Sequence, residues 1–307
     1  MSTPAKAAGT VSVTTVPPGE RVSAGRRRTR LRGERGHPWL ALLGGLIALL
    51  FALPLWWTVA SALRPENDVF QSLSPVSIRL LVPKSLTLEN FAALVDSGFG
   101  RPMLNSVIVT IVTLIVGLAV SSAAAFALAV LRFRGRSVIF AVMVISFLIP
   151  FDAIAIPLMS VFREAGLANT FTALILPGVG NGLAVFLLRG FFLGVPYEIA
   201  EAARMDGLGW WGIFRRIYLP LSRPALIGAG LILFVFQWQA YLWPLLIAPR
   251  TEMKVAPVAI AQFAGQQEVD FGQIFAGATL TALVPLLVLL FFQRYFTQSV
   301  SATGVKG

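Results

Sequence analysis

Polar and apolar positions along this chain separate into long blocks. Six windows are almost continuously apolar: Trp39–Leu63, Pro102–Leu131, Ser137–Phe162, Ala165–Leu188, Pro224–Pro249 and Phe271–Gln293. Each is long enough to cross a bilayer core, which takes about 20 residues in a helix. Five contain no Asp, Glu, Lys or Arg, and the third contains only Asp152. Unpaired backbone polar groups are costly in lipid, so such windows must be helices or strands of a closed barrel, and barrel strands would alternate over about 10 residues. The pattern therefore predicts an all-α integral membrane protein with six transmembrane helices. Pro54, Pro150, Pro157, Pro177, Gly178, Gly180, Pro244 and Pro285 fall inside the windows and are expected to kink helices or widen gaps between them.

The polar stretches between the windows are unequal. "LTLENFAALVDSG" places Leu88, Phe91, Ala92 and Val95 on one helical face and predicts a short surface helix in the outer segment Arg64–Arg101. "LRFRGRS" (Leu131–Ser137) is a tight basic turn, "REAGLANT" (Arg163–Thr170) a short turn, and "RTEMKVAPVAIAQFAGQQEVDFGQ" a polar loop long enough to meet a partner. The stretch after the fourth window reads as a helix–turn–helix. Pro196 suits a first helical position, Glu198 and Glu201 stand in the early turns, and the helix should run to about Asp206. Gly207 can then adopt the left-handed conformation that ends it. In the second limb Trp210, Phe214 and Ile217 form one stripe, Arg215 and Arg216 turn outward, and Pro220 breaks the helix. Two readings stand at this point. Tryptophans and arginines beside a span commonly anchor it at the interface, whereas the small side chains Ala200, Ala202 and Ala203 would let another protein approach closely.

Composition narrows the class. The chain of 307 residues is 56% hydrophobic and 13% charged, outside the range of a soluble domain. Its formal charge of +11 would suit nucleic acid, but 18 of the 25 Lys and Arg residues fall on one side of the six windows: eight before Trp39, three in Leu131–Ser137, five from Arg189 to Arg223 and two at the C-terminus. The charge is mainly a topology signal that puts both termini in the cytoplasm. "RRRTRLRGERGHPWLALLGG" followed by "VASA" resembles a signal peptide, yet its apolar run exceeds the roughly 7 to 15 residues of a signal core, so an uncleaved first helix is expected. Residues 1–36 are too poor in apolar surface to fold and read as a basic disordered tail ahead of a membrane domain at 37–307, whose core unit is about 100–296.

The scope for chemistry in the chain is small. There is no cysteine, His37 is the sole histidine, and acids are scarce, leaving few means for metal or acid–base catalysis. No G-x-x-x-x-G-K-[ST] phosphate loop occurs. A lone intramembrane carboxylate argues against a proton-driven carrier, and the lack of an internal repeat weakens the case for an inverted-repeat carrier. Candidates for a transport path are Asn105, Asp152, and Gln237, Trp238, Gln239, Tyr241 and Trp243 of "FQWQAYLWP". Amides and aromatic faces suit a carbohydrate, although glutamine also joins membrane helices and aromatics mark the interface. Asp152 can equally cap a broken helix.

"EAARMDG" followed by "I-Y-L-P" resembles the EAA loop of permease subunits of binding-protein-dependent ABC importers. The matching residues are Glu201, Ala202, Ala203, Gly207, Ile217, Leu219 and Pro220. "LIPFDAIAIPL", "GLANTFTALILP", "FLLRGFF" and the terminal "GVKG" are similar to the carbohydrate-uptake branch, which includes the smaller permease of the maltose importer. The resemblance covers about Leu40 to Gly307 and leaves the basic tail unexplained. It implies a six-helix subunit of a bacterial inner membrane, not itself an enzyme, that forms half of a sugar path. The implied partners are a second permease subunit, two ATPase subunits that bind MgATP, and an extracytoplasmic sugar-binding protein. It also implies that Glu201, Ala202, Ala203, Asp206 and Gly207 enter a cleft of the ATPase, with Ile217, Leu219 and Pro220 tying the second limb to the fifth span.

Overall fold

The computed structural model describes residues 38–65, 68–69, 81–265 and 269–304, with side chains as far as residue 293. The expected basic tail and the last three residues lie outside this range. Among the described residues the structure is helical, with no strand. The chain divides into a unit ending at Leu50 and a unit from Phe51 onward. The first contributes the exposed start of helix α1, Pro38–Ala62.

In the second unit α3, Gly100–Val130, is the central element, about 45 Å long at 1.5 Å per residue. It packs against α6 (Phe171–Val179), α7 (Gly182–Leu193) and α11 (Arg223–Trp238), while α11 also packs on α14 (Phe271–Gly304). Four helices, α1, α3, the α6–α7 run and α14, are long and apolar enough to cross a membrane, and up to six spans result if each bent pair counts as one.

The windows at Ser137 and Pro224 are not straight helices. In the first, α4 (Arg136–Leu148) meets α5 (Phe151–Glu164) at 99°. Pro150 excludes helical geometry from the residue before it, and Ile149 is extended at φ −73°, ψ 122°. In the second, α11 stops at Trp238, and α12 begins a new helix at Leu242–Ile247, so Gln239 to Tyr241 form a break. The fourth window also shifts: its helix starts at Phe171, after the Thr170 hydroxyl accepts the Ala173 N–H at 3.2 Å. Asn181 caps α7 in the same way through Ala184 at 2.9 Å.

The expected surface helix forms as α2, Glu89–Asp96, but it buries a different face. Asn90 and Leu94 are inside, whereas Leu88 and Val95 are 69% and 70% exposed. The reason is polar. The Asn90 amide donates to the carbonyls of Ala62 and Arg64 at 2.8 and 2.6 Å, and its oxygen abuts Gly272 at the start of α14. One buried carboxamide thus fastens α2 to the end of α1 and to α14. Burial lowers the Arg64 guanidinium pKa from its ordinary value, and the neighbouring Asp68 carboxylate opposes the shift.

At the same end of α3, the Asn105 amide donates to the Glu252 and Lys254 carbonyls, both at 2.8 Å, and the Ser106 hydroxyl accepts the Ala256 N–H at 2.8 Å. These bonds hold the turn Thr251–Met253 and helix α13, Ala256–Phe263, onto α3. Trp243 fills a second apolar cluster. Its indole N–H donates to the Ala173 carbonyl at 2.9 Å, and its ring meets Phe151 and Phe162 edge-on.

Candidate functional site

The opposite end of α3, beyond Ala125, carries a helical corner. Its first limb, α8 (Tyr197–Met205), follows Pro196, which stands one position before the helix rather than as its first residue. Gly207 has φ +86°, as its place in the sequence required. The Gly207 N–H donates to the Arg204 carbonyl and the Leu208 N–H to the Ala203 carbonyl, both at 3.0 Å, which closes the helix end in the Schellman pattern.

The second limb consists of α9 (Trp210–Ile213), a π-helical turn at Phe214–Tyr218, and α10 (Leu219–Leu221). Pro220 lies within this limb instead of ending it. It lacks an N–H to return to the carbonyl four residues back, and the turn ahead of it widens, with the Leu219 N–H bonding the Phe214 carbonyl. The helix breaks at buried Ser222, where the limb bends 83° into α11. Pro224 then falls in the first turn of α11, where its missing N–H leaves no intrahelical bond unmade.

Packing gives each limb an inner and an outer face. Ala200 and Ala203 are 0% and 7% exposed and belong to the cluster formed by the inner ends of α3 and α7, whereas Glu201, Ala202, Met205, Asp206 and Gly207 face outward. The buried stripe of the second limb is Ile213, Phe214 and Tyr218, shifted from the expected Trp210, Phe214 and Ile217. Trp210, Ile217 and Leu219 pack at its edge, and Pro220 is exposed. Tyr218, 1% exposed, is the centre that the sequence reading missed. It meets Phe126 of α3 at 5.1 Å and Phe192 of α7 at 5.6 Å, both edge-on. Its only sequence signal is the four-residue spacing from Phe214.

Arginines fix the limbs to their surroundings. Arg132 lies over Tyr197 at 4.8 Å, Arg204 over Trp210 at 4.5 Å, and Arg189 over Phe140 at 3.9 Å, while the Arg189 Nε–H also reaches the Leu128 carbonyl. The Arg204 contact spans the Gly207 turn and fixes the angle between α8 and α9.

The path candidates are scattered. Asn105 is fully buried and spends its amide on the 252 and 254 carbonyls. Trp238 is buried, stacks on Phe234 and donates to the Thr281 carbonyl at 3.0 Å, so it joins α11 to α14. Gln237 is half-buried, and its amide and the Thr113 methyl both lie against Gly178, where α3, α6 and α11 come together. Gln239 and Tyr241 lie exposed in the break after α11, and Asp152 is exposed in the first turn of α5. Among the described residues no group of three His, Cys, Asp or Glu side chains is placed to hold a metal.

Comparison with known proteins bears on this geometry. Residues 115–302 match the family described as binding-protein-dependent transport system inner membrane component. The chain is 35% identical over 278 residues to the arabinooligosaccharides transport system permease protein AraQ of Halalkalibacterium halodurans, covering 88% of this chain and 96% of that protein. It is 30% identical over 280 residues to the trehalose transport system permease protein SugB of Mycobacterium tuberculosis, covering 90% and 100%. In fold it matches a chain in the crystal structure of a bacterial ABC transporter involved in the import of the acidic polysaccharide alginate, with a TM-score of 0.72 over 84% of this chain and 95% of that one at 24% identity.

Proposed function

The chain belongs to the family of binding-protein-dependent transport system inner membrane components, and on that premise we propose that it is one permease subunit of an ATP-driven sugar importer. Its six spans are α1, α3, the bent α4–α5 pair, α6–α7, α11 with α12, and α14. The cation distribution puts both termini and the α8 corner in the cytoplasm. Residues 37–307 form the permease domain, with its core at about 100–296, and residues 1–36 form a tail ahead of it. The partners are a second permease subunit, an extracytoplasmic sugar-binding protein, and two ATPase subunits that hold the MgATP. The relatives' names make saccharides the favoured cargo class.

The observation that carries the coupling role is the two-sided first limb. Glu201, Ala202, Asp206 and Gly207 present a small outer surface of a size to enter a cleft of the ATPase, while Ala203 transmits from the inner face. Ile217, Leu219 and Pro220 carry the motion toward α11. For the path, Gln237, Gln239 and Tyr241 at the end of α11 are the favoured sugar contacts, Asp152 flanks the bend, and Asn105 and Trp238 shape the walls.

Ala202→Trp tests the reading, because an exposed indole fills the proposed cleft without entering the core. With the cognate ATPase, binding protein and second permease co-expressed, the variant should reach the membrane at normal levels yet lose ATPase capture and ATP-driven uptake. Normal capture and uptake would remove the assignment of α8 as the coupling element.

A further inference from the structure

Basic side chains around the corner differ in what holds them. Arg132, Arg189 and Arg204 lie over aromatic rings, and Arg136 donates to the Leu131 carbonyl. Arg215 and Arg216 are exposed and have no hydrogen-bond, ion-pair or ring partner among the described residues. With Trp211 and Gly212 they line a recess of about 430 Å³. Trp211 is 67% exposed, yet its ring is held 5.3 Å from the buried Phe214 ring, so one edge is anchored and the other is open. The wide π turn buries Phe214 and Tyr218 and leaves the two arginines between them outward, side by side.

The level of this recess identifies its ligand. Ser222 closes the corner, and the next residue opens α11, an apolar helix. The recess therefore sits where hydrocarbon gives way to water, the zone in which tryptophan and arginine are at home. We propose that Trp211, Arg215 and Arg216 bind the phosphate of an anionic phospholipid headgroup. Two guanidinium forks can donate charge-assisted hydrogen bonds to phosphate oxygens, and the open edge of the indole covers the apolar boundary below the phosphate. Free inorganic phosphate offers the same acceptor oxygens and lacks that apolar body. An occupied recess pins the second limb at the membrane surface, about two turns from the Ser222 bend.

Native mass spectrometry of the full-length chain in detergent, titrated with phosphatidylglycerol, phosphatidylcholine or inorganic phosphate, provides the test. Wild type should bind phosphatidylglycerol at least tenfold more tightly than phosphatidylcholine. Arg215→Gln with Arg216→Gln should weaken it about 30-fold, since one basic side chain near an anionic surface is worth about fivefold. Arg215→Lys with Arg216→Lys should stay within about fivefold of wild type and reports that the site still folds. The same glutamine substitutions at Arg134 and Arg223, exposed cations outside the recess, should have no effect. Unchanged affinity in the Arg215/Arg216 glutamine variant, equal binding of phosphatidylcholine, or displacement of the lipid by equimolar inorganic phosphate would each overturn the proposal.

Discussion

Substituting Gly207 by valine isolates the hinge between the two limbs. A Cβ at Gly207 would meet nothing within 4 Å, so the effect is conformational rather than a clash. Holding an L-residue at φ +86° costs about 1–2 kcal/mol, and more for a β-branched one. Escape to a right-handed backbone removes the Gly207 and Leu208 hydrogen bonds to Arg204 and Ala203, worth about 1 kcal/mol each. The two costs are nearly equal, so the variant should divide between the native angle and a re-angled corner, each populated by a tenth or more of the molecules. The chain has no cysteine, so spin labels at Glu201→Cys and Leu221→Cys, both exposed sites, report without background. Pulsed electron spin resonance should give one narrow distance in the glycine parent, two in Gly207→Val, and one in Gly207→Asn, because asparagine tolerates the left-handed region. A single unshifted distance in the valine variant would refute the hinge.

Two further outcomes follow from close contacts. Asn90→Ala leaves the Ala62 and Arg64 carbonyls without their buried donor and should lower stability by about 2–4 kcal/mol, read as the unfolding midpoint in denaturing detergent; Asn90→Asp should be no milder, since a carboxylate accepts and cannot donate. Gly178→Ala drives a methyl group into the Gln237 amide and to 2.8 Å from the Thr113 methyl, at a cost of about 1–3 kcal/mol. Adding Gln237→Ala should recover part of that loss in a double-mutant cycle, and strict additivity would show that the two residues do not touch.

What the residues disclosed depended on whether a signal was local. α1 and α3 begin and end within two residues of their apolar windows, because unpaired backbone is so costly in lipid that a long apolar run has to be helical. Gly207 was legible for the same reason: a positive φ after a helix is a one-residue requirement. The breaks at Ile149–Pro150 and Gln239–Tyr241 were less so. Hydropathy averages over direction, and an apolar run that turns by 99° has the same mean as a straight one.

Sequence by itself determined that this chain is helical, lies in a membrane, and carries a two-limbed polar insertion hinged at a glycine. Tertiary structure alone decided which side of each helix faces inward. In water, apolar side chains mark the interior, but a membrane protein is surrounded by apolar solvent and that contrast vanishes. In α3, accordingly, Thr110 and Thr113 are buried while Ile111 and Ile115 are exposed; outside the spans local contacts decide, so that Asn90 is buried by the carbonyls it satisfies and, of two adjacent alanines, Ala203 joins the core and Ala202 faces out. Tyr218 became the centre of the corner for a reason no spacing could state: Phe126 and Phe192, on helices distant in sequence, close around it.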